Sequence, residues 1–335
     1  MKKALIFALT VVIVCGTLAL TAACASSAKG KMAETSFNLE TGTVTLNNGV
    51  EMPILGLGTY RLTPEQAENS VYHALTYGYR LIDTANAYMN ERAVGRGIQR
   101  SGVPREQIFV TTKLWPSDYA DTERAINETL ARLGLDYIDL LLLHQPFGDY
   151  VEGYKGLETA VRQGKVRSIG LSNFYGRRLD EVISIATIPP AVLQVESNPF
   201  YQNNALREYV KPHGITMNAW FPLGGRIDER DPSTSTQTLL FNNEAIVEIA
   251  AAHHKTPAQV ILRWHLQVGN IAIPGSTNPA HILENISIFD FALTDEQMQM
   301  LSALETGITA YDFNNMDDQP SFTSYSFSFD FNNQE

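Results

Sequence analysis

The stretch that decides the fold is Ile138-Asp139-Leu140-Leu141-Leu142-Leu143-His144, a short apolar run that ends in a histidine. Such a run is typical of a strand that is buried on both faces of a parallel sheet. The amphipathic stretch Tyr150–Arg162 follows it, and a second β-prone run begins at Arg167. A strand, a helix and a strand in this order predict one βαβ unit.

The same alternation continues in both directions along the chain. Eight β-prone runs occur: Ile54–Thr59, Tyr79–Asp83, Ile108–Lys113, Ile138–His144, Arg167–Ser172, Val192–Glu196, Thr216–Leu223 and Ile271–Pro274. Helical stretches lie between and after them: Pro64–Thr76, Asn90–Arg100, Asp121–Arg132, Tyr150–Arg162, Arg177–Ile185, Asn204–His213, Asn242–His254, Pro257–Gln267, Pro279–Asn285 and Thr294–Glu305.

These units predict an α/β protein with the (β/α)8 TIM-barrel fold. A doubly wound sheet is the alternative, but Gly56-Leu57-Gly58 supplies only two glycines of the G-x-G-x-x-G motif that such sheets use. Two short runs, Thr43–Leu46 and Val50–Met52, flank Asn47-Asn48-Gly49 and predict an N-terminal β-hairpin cap.

We expect residues 41–306 to form the barrel domain and residues 307–335 to form a separate tail. The tail is rich in aromatic residues, Asn and Ser, and it lacks helical periodicity. Three interpretations are open for it: a loop over the mouth of the barrel, an edge ribbon, or disorder.

Residues 1–24 have the pattern of a targeting segment. Lys2-Lys3 precede the uncharged run Ala4–Ala23, and small residues follow around Cys24. This end resembles a bacterial lipoprotein box, which implies that Cys24 is lipidated and attaches an exported protein to the membrane. Residues 25–40 would then be a flexible tether.

Other outcomes are open for the N-terminus. Cleavage after Ala25 would give a soluble periplasmic or extracellular protein, and no cleavage would leave a membrane anchor. A start at Met32 would instead keep the protein in the cytoplasm. Export would conflict with the use of a nicotinamide cofactor, which is scarce outside the cytoplasm.

Composition excludes several classes of function. The chain has 335 residues, with 36 acidic and 25 basic side chains and a net charge of −11, which argues against nucleic-acid binding. Its two cysteines, Cys15 and Cys24, both lie in the N-terminal segment, so the body has no disulfide and no Cys-based metal site. His253-His254 and His265 fall on predicted outer helices, so no metal site is expected there.

Polar or aromatic residues end, or closely follow, seven successive predicted strands. They are Asp83, Lys113, His144, Ser172 with Asn173, Gln194 with Glu196, Trp220 and Ser276. A solvated strand end explains any one of them but not the whole series. Because barrel enzymes act at the C-terminal ends of their strands, the series predicts an active site.

Asp83, Lys113 and His144 come from adjacent strands, and Tyr88 lies in the loop after Asp83. A neighbouring ammonium lowers the pKa of a tyrosine, and a carboxylate keeps that ammonium charged. A histidine at the same place can hydrogen-bond a carbonyl oxygen. The four residues therefore suit the protonation of an oxygen as hydride reaches the attached carbon.

Several motifs resemble those of the aldo-keto reductases, over about residues 46–304. They are Asp83-Thr84-Ala85-Asn86-Ala87-Tyr88-Met89-Asn90-Glu91, Lys113-Leu114-Trp115, Gly170-Leu171-Ser172-Asn173-Phe174, Gln194-Val195-Glu196 and Ile273-Pro274-Gly275-Ser276. The resemblance implies a (β/α)8 barrel that binds a nicotinamide cofactor without a Rossmann fold. It also implies that Tyr88 is the general acid, that Lys113 and Asp83 tune it, and that His144 orients the substrate.

The resemblance extends to the binding residues. It implies cofactor contacts at Thr59, Ser172, Asn173, Gln194, Trp220, Leu223, Ser276, Glu284 and Asn285. It implies that the substrate meets Tyr60, Trp115 and His144. A charged loop, Arg226–Asp231, would continue from Leu223 as a strap over the cofactor or as a solvated loop.

Two departures concern the cofactor. Many members have a Lys where this chain has Gly275 and an Arg where it has His281, and those cations hold the 2′-phosphate of NADP(H). NADP(H) is the first choice, with NAD(H) as the alternative because these charge-assisted contacts are missing. Gln145 stands where a Trp is common, so the substrate cannot be transferred from the family.

The resulting prediction is an NAD(P)H-dependent reductase of small aldehydes and ketones, similar to the bacterial 2,5-diketo-gluconate reductases. The alternative is a sensor module that binds nicotinamide nucleotide with little turnover. A metal-dependent hydrolase on an unrelated barrel is disfavoured. The sequence does not fix the oligomeric state, and a monomer is favoured.

Overall fold

The computed structural model of the protein describes residues 35–225, 235–311 and 313. It begins with a three-stranded antiparallel sheet of β1 (Ser36–Asn38), β2 (Thr43–Thr45) and β3 (Glu51–Pro53). Strands β2 and β3 form the predicted hairpin, with Val44 opposite Met52. Both of these side chains are fully buried, so one face of the hairpin belongs to the core.

Part of the predicted tether, residues 25–40, is a strand instead. Residues 36–38 form β1, which pairs with β2 in antiparallel register. Phe37 of β1 packs against the main hydrophobic core, and this contact offsets the entropy lost when the segment is ordered. An isolated Phe among polar residues was too weak a signal to reveal this strand.

A parallel eight-stranded sheet forms the centre of the fold. Its strands lie in chain order: β4 (Leu57–Gly58), β5 (Leu81–Asp83), β6 (Phe109–Leu114), β7 (Ile138–Leu143), β8 (Val166–Ser172), β9 (Val192–Glu196), β10 (Thr216–Trp220) and β11 (Asn270–Ala272). Each of the eight predicted runs contributes one strand. Because all the strands are parallel, their C-terminal ends lie at one end of the sheet.

Backbone hydrogen bonds also join the two ends of this sheet. Leu55 forms a parallel bridge with Ala272. The Gly56 N–H donates to the Ala272 carbonyl at 2.9 Å, and the Gly58 N–H donates to the Pro274 carbonyl at 3.1 Å. A Cβ at position 58 would lie 2.7 Å from the Ile273 carbonyl oxygen, so this close approach requires glycine.

Helices connect and cover the strands. They are α1 (Pro64–Thr76), α2 (Glu91–Ser101), α3 (Thr122–Leu133), α4 (Tyr150–Arg162), α5 (Gly176–Ile185), α6 (Asn204–Val210), α7 (Thr236–Phe241), α8 (Glu244–His253), α9 (Pro257–Gln267), α10 (Pro279–Ile286) and α11 (Asp295–Ser302). Helices α1, α4 and α9 have the predicted bounds. Helix α7 was not predicted, because it is too short to show a helical period.

The leucines of β7 explain why that strand decides the fold. Leu140 and Leu142 belong to one buried cluster, whereas Leu141 and Leu143 belong to a second. Successive side chains of a strand point to opposite faces, so both faces of β7 are covered. A strand with this pattern is stable only between two apolar layers.

Several predictions fall outside the described residues. Cys24 and the segment 1–24 lie there, so lipidation and export stay predictions, and so does the strap at Arg226–Asp231. The tail beyond residue 313 lies there as well. In the ranges 35–225 and 235–311, no helix is long and apolar enough to cross a membrane.

His265 lies on α9, as predicted, but it is fully buried. Its Nε2 contacts the Pro222 carbonyl at 3.0 Å, and its Nδ1 contacts the side-chain amide of Asn270 at 3.3 Å. Burial lowers its pKa to about 3. Within the part of the chain that the structure describes, no group of three or more His, Cys, Asp and Glu could hold a metal ion.

The buried His265 makes a prediction about acid stability. The unfolded state takes up a proton near pH 6.5, whereas the folded state does not until about pH 3, so stability falls as the pH drops below 6.5. We expect a loss of about 1.4 kcal/mol per pH unit from this group. Urea unfolding between pH 6.5 and 5 should give a free energy of unfolding that depends less steeply on pH in His265→Gln than in the parent chain. An equal dependence in both would contradict this prediction.

Candidate active site

A buried ion pair lies at the C-terminal end of the sheet. The Nζ of Lys113 on β6 donates to Oδ1 of Asp83 on β5 at 2.6 Å and to the Thr84 carbonyl at 2.8 Å. Lys113 is fully buried, and Asp83 is 1% exposed. Burying two charges is favourable only when each is paired and hydrogen-bonded, and here both are.

Gln194 completes this pair. Its side-chain Nε2 donates to Oδ2 of Asp83 at 2.7 Å, so both oxygens of the carboxylate are bonded. Gln194 lies on β9, which is separated from β5 by three strands of the sheet. Gln194, a predicted cofactor residue, therefore also contacts Asp83.

Tyr88 is brought to the ion pair by a short 3-10 turn, Asn86–Tyr88, directly after β5. Its Oη lies 3.3 Å from Nζ of Lys113. The turn is fixed because the Asn86 side chain donates to Asp118 at 2.9 Å. The predicted group of Asp83, Tyr88 and Lys113 is therefore assembled in one place.

The protonation of Tyr88 differs from the expectation. Burial raises the pKa of Tyr88 well above its usual value of 10, and the negative charge of Asp83 raises it further. The ammonium of Lys113 alone would lower this pKa. Removal of the phenolate from water outweighs that attraction, because a buried anion loses its hydration. Tyr88 therefore holds its proton at neutral pH.

His144 follows β7 and is 7% exposed. Its ring meets the ring of Trp115 edge-on, with centroids 5.1 Å apart, and lies 5.6 Å from the ring of Tyr88. Burial lowers its pKa well below 6.5, and the charge of Lys113 lowers it further. His144 is therefore neutral at pH 7 and can donate a hydrogen bond without carrying a charge.

A cavity of about 980 Å³ opens above these residues. The predicted cofactor residues that line it are Ser172, Asn173, Gln194, Trp220, Leu223 and Ser276. The predicted substrate residues Tyr60, Trp115 and His144 line it too, together with Asp83 and Tyr88. Its size suits a dinucleotide and a small substrate, and its wall combines aromatic rings with a few polar groups.

Trp220 is held rigidly at the wall of this cavity. Its Nε1 donates to Oδ1 of Asn173 at 2.8 Å. The side-chain amide of Asn173 in turn donates to the His144 carbonyl and to Oε1 of Gln145, each at 3.2 Å. Asn173 adopts a left-handed φ of +64°, which Asn tolerates better than most residues. An indole face beside carboxamide and hydroxyl groups fits a nicotinamide ring.

Three predicted cofactor residues do not line the cavity. Thr59 is fully buried, and its hydroxyl donates to the Asp83 carbonyl at 3.0 Å. Glu284 accepts a hydrogen bond from Thr256 at 2.7 Å, which ties α10 to the start of α9. Asn285 is buried next to it on α10. Gly275 lines the cavity, whereas His281 is exposed on α10.

The cavity also contains aromatic residues that the sequence analysis did not assign to a site. Phe221, Tyr311 and Phe313 line it. Phe221 has a φ of +47°, which is unusual for a bulky residue and places its ring 6.1 Å from that of Tyr60. Of the three interpretations of the tail, a loop at the mouth of the cavity agrees with residues 307–311 and 313. The aromatic content of the tail was the signal.

The ion pair makes a prediction about stability. Asp83→Asn leaves the buried ammonium of Lys113 without its counter-charge, and loss of one partner of such a pair costs about 3–5 kcal/mol. The double variant Asp83→Asn with Lys113→Met removes both charges and should recover most of that loss. Urea unfolding of both variants and the parent checks this. Equal stability of the single and double variants would contradict it.

Comparison with known proteins agrees with this geometry. The model of the aldo/keto reductase family matches residues 51–306. The morphine 6-dehydrogenase of Pseudomonas putida is 44% identical over 271 residues, which cover 79% of this chain and 92% of that protein. The glyoxal reductase of Bacillus subtilis is 45% identical over 266 residues, which cover 78% and 92%.

Solved structures give the same answer. An aldo-keto reductase from a deep-sea metagenome of the Medee basin superposes with a TM-score of 0.76 and 42% identity, covering 82% of this chain and 99% of its own. The Bombyx mori aldo-keto reductase in complex with NADP has a TM-score of 0.76 and 33% identity, with coverage of 82% and 97%. The family match, the relatives and the assembled residues together lead to one conclusion: the chain belongs to the aldo/keto reductase family.

Proposed function

We propose that the protein is an NAD(P)H-dependent reductase that converts small aldehydes and ketones to alcohols on a closed (β/α)8 barrel. The observation that carries the proposal is the hydrogen-bonded group of Asp83, Lys113 and Tyr88 at the floor of the cavity. Family membership supports the same reaction, because the relatives named above are reductases and dehydrogenases.

Each residue of the group has a distinct part in this mechanism. When bound, a reduced nicotinamide would supply the hydride for the carbonyl carbon. Tyr88 gives its proton to the carbonyl oxygen, because its raised pKa keeps it protonated until the oxygen becomes basic. Lys113 then stabilises the phenolate left on Tyr88, and Asp83 keeps Lys113 charged. Neutral His144 holds the carbonyl by a hydrogen bond.

The residues of the cavity fit a nicotinamide dinucleotide. The indole of Trp220 offers a flat face, and Ser172, Asn173 and Gln194 would bind the carboxamide. Leu223 would cover the pyrophosphate, and Ser276 would contact the ribose phosphate end. We propose NADP(H) as the first choice, on the ground of the family resemblance. NAD(H) is the alternative, because Gly275 and His281 stand where many family members have the cations that hold the 2′-phosphate.

Tyr88→Phe tests the proton donor. We expect kcat to fall by at least about 100-fold, because positioned acid catalysis contributes a factor of that order, while the Kd of the nucleotide stays within twofold. Oxidation of NADPH with glyoxal, followed at 340 nm, and quenching of tryptophan fluorescence by NADPH measure the two quantities. Tyr72→Phe, on α1 and outside the residues that line the cavity, is the matched control.

Near-normal turnover of Tyr88→Phe would contradict the assignment of the acid. Nucleotide binding by the parent chain without turnover on any aldehyde or ketone would contradict the reductase and favour a sensor.

The cofactor preference is tested by restoring the two cations. A Cβ at Gly275 would lie 3.0 Å from the Gly58 carbonyl oxygen, so a side chain fits after a shift of a few tenths of an ångström. We expect Gly275→Lys with His281→Arg to lower the Kd of NADPH at least about tenfold, since each charge-assisted bond is worth roughly 1.5 kcal/mol or more. NADH, which lacks the 2′-phosphate, is the control ligand, and an equal gain for NADH would contradict the assignment.

A further inference from the structure

Glu196 is a buried carboxylate that the proposed reaction does not use. It is the last residue of β9 and is 1% exposed, two residues after Gln194. Within the residues described, no Lys or Arg forms an ion pair with it. Burying a carboxylate without a cation costs free energy unless several hydrogen-bond donors bind it. The donors that bind Glu196 therefore indicate its role.

The donors of Glu196 come from the C-terminal segment. Its Oε2 accepts from the Thr309 hydroxyl at 2.6 Å and from the Ala310 backbone N–H at 2.9 Å. These residues are more than 110 positions away in the sequence. Oε1 has only a long contact with Asn198, at 3.5 Å. The carboxylate therefore holds the segment by two short, charge-assisted hydrogen bonds.

This attachment places two aromatic rings in the cavity. The Tyr311 ring lies 6.3 Å from the ring of Trp220, and the Phe313 ring lies 6.0 Å from that of Tyr311. Both residues line the cavity, and Phe313 is buried. Tyr311 is partly exposed and directly follows Ala310. The hydrogen bond from the Ala310 N–H to Glu196 therefore restricts the position of the Tyr311 ring.

A second attachment fixes the start of the same segment. The N–H groups of Thr306 and Gly307 donate to the Phe200 carbonyl at 3.0 and 3.1 Å. Glu196 then holds Thr309 and Ala310, the two residues that directly precede Tyr311.

We propose that Glu196 is a positioning residue for substrate selection: it holds Thr309 and Ala310 so that Tyr311 and Phe313 form an aromatic wall favouring aromatic carbonyl substrates. Tyr60, Trp115 and Phe221 also line the cavity, so a bound aromatic ring would meet further aromatic side chains there. A small aldehyde such as glyoxal has no ring to pack against these side chains. The inference rests on the proposed function.

The test compares two substrates in the full chain with Glu196→Ala. We expect the KM for 2-naphthaldehyde to rise about tenfold with kcat within twofold, because the wall contributes binding and no chemistry. We expect kcat/KM for glyoxal to change less than twofold. NADPH oxidation at 340 nm gives both values.

Glu158 is the matched control. It is also a buried carboxylate that holds a distant loop, accepting from the backbone N–H groups of Thr187 and Ile188 at 2.6 and 2.7 Å. It does not line the cavity. Glu158→Ala should lower Tm while leaving the ratio of kcat/KM for the two aldehydes unchanged.

Two milder variants keep the test decisive if Glu196→Ala fails to fold. Thr309→Val removes one donor at a half-buried position and should shift the ratio in the same direction by a smaller factor. Glu196→Gln keeps an acceptor oxygen without the charge and should give a ratio between those of the parent and Glu196→Ala.

Tyr311→Ala gives the remaining check. It should reproduce the rise in KM for 2-naphthaldehyde, and combining it with Glu196→Ala should add little, because both remove the same wall. Equal effects of Glu196→Ala on both aldehydes, or full additivity with Tyr311→Ala, would overturn the inference. A parent chain that reduces neither aldehyde would instead overturn the proposed function.

Discussion

The ion pair between Lys113 and Asp83 is the interaction on which the rest of the site depends. Two opposite charges 2.6 Å apart, with almost no exposure to water, can exist only inside a rigid shell that supplies their remaining hydrogen bonds. The parallel sheet provides that shell. The Gln194 side chain on β9 donates a hydrogen bond to Asp83. The Lys113 ammonium donates to the Thr84 carbonyl, which follows the neighbouring strand β5.

Three residues that line the cavity have a strained backbone conformation, unlike the regular strands of the sheet. Arg61, Asn173 and Phe221 line the cavity and have φ values of +63°, +64° and +47°. Each left-handed residue other than glycine costs of order 1–3 kcal/mol, so neighbouring contacts must hold it. For Asn173, its bonds to Trp220, His144 and Gln145 do so. The strain therefore aims specific side chains into the cavity.

The elements that could be predicted from the sequence are those whose burial leaves a local pattern. Strands such as β7 were predictable because burial on both faces requires an uninterrupted apolar run, and a polar residue at its end is then conspicuous. This is why Asp83, Lys113 and His144 could be placed together. Strand β1 and helix α7 were missed because each is too short for a period to show and depends on tertiary contacts.

Other features depend on distances that no local pattern contains. Glu284 accepts a hydrogen bond from Thr256 at the start of a neighbouring helix, which no local pattern predicts, and its contact with the cofactor stays a prediction. The contact of Glu196 with Thr309 joins residues 113 positions apart, and neither residue signals the other. Such pairings become visible only when the fold brings the two segments together.

The raised pKa of Tyr88 shows how the same burial serves both stability and chemistry. Burial disfavours the phenolate, so Tyr88 keeps its proton while no substrate oxygen requires it. When negative charge develops on a carbonyl oxygen nearby, that oxygen becomes the stronger base, and proton transfer leaves the phenolate 3.3 Å from the ammonium of Lys113. In a medium of low polarity this attraction is strong, because little water screens it. The ammonium therefore contributes most after the proton has moved, which is the condition for stabilising the transition state over the ground state.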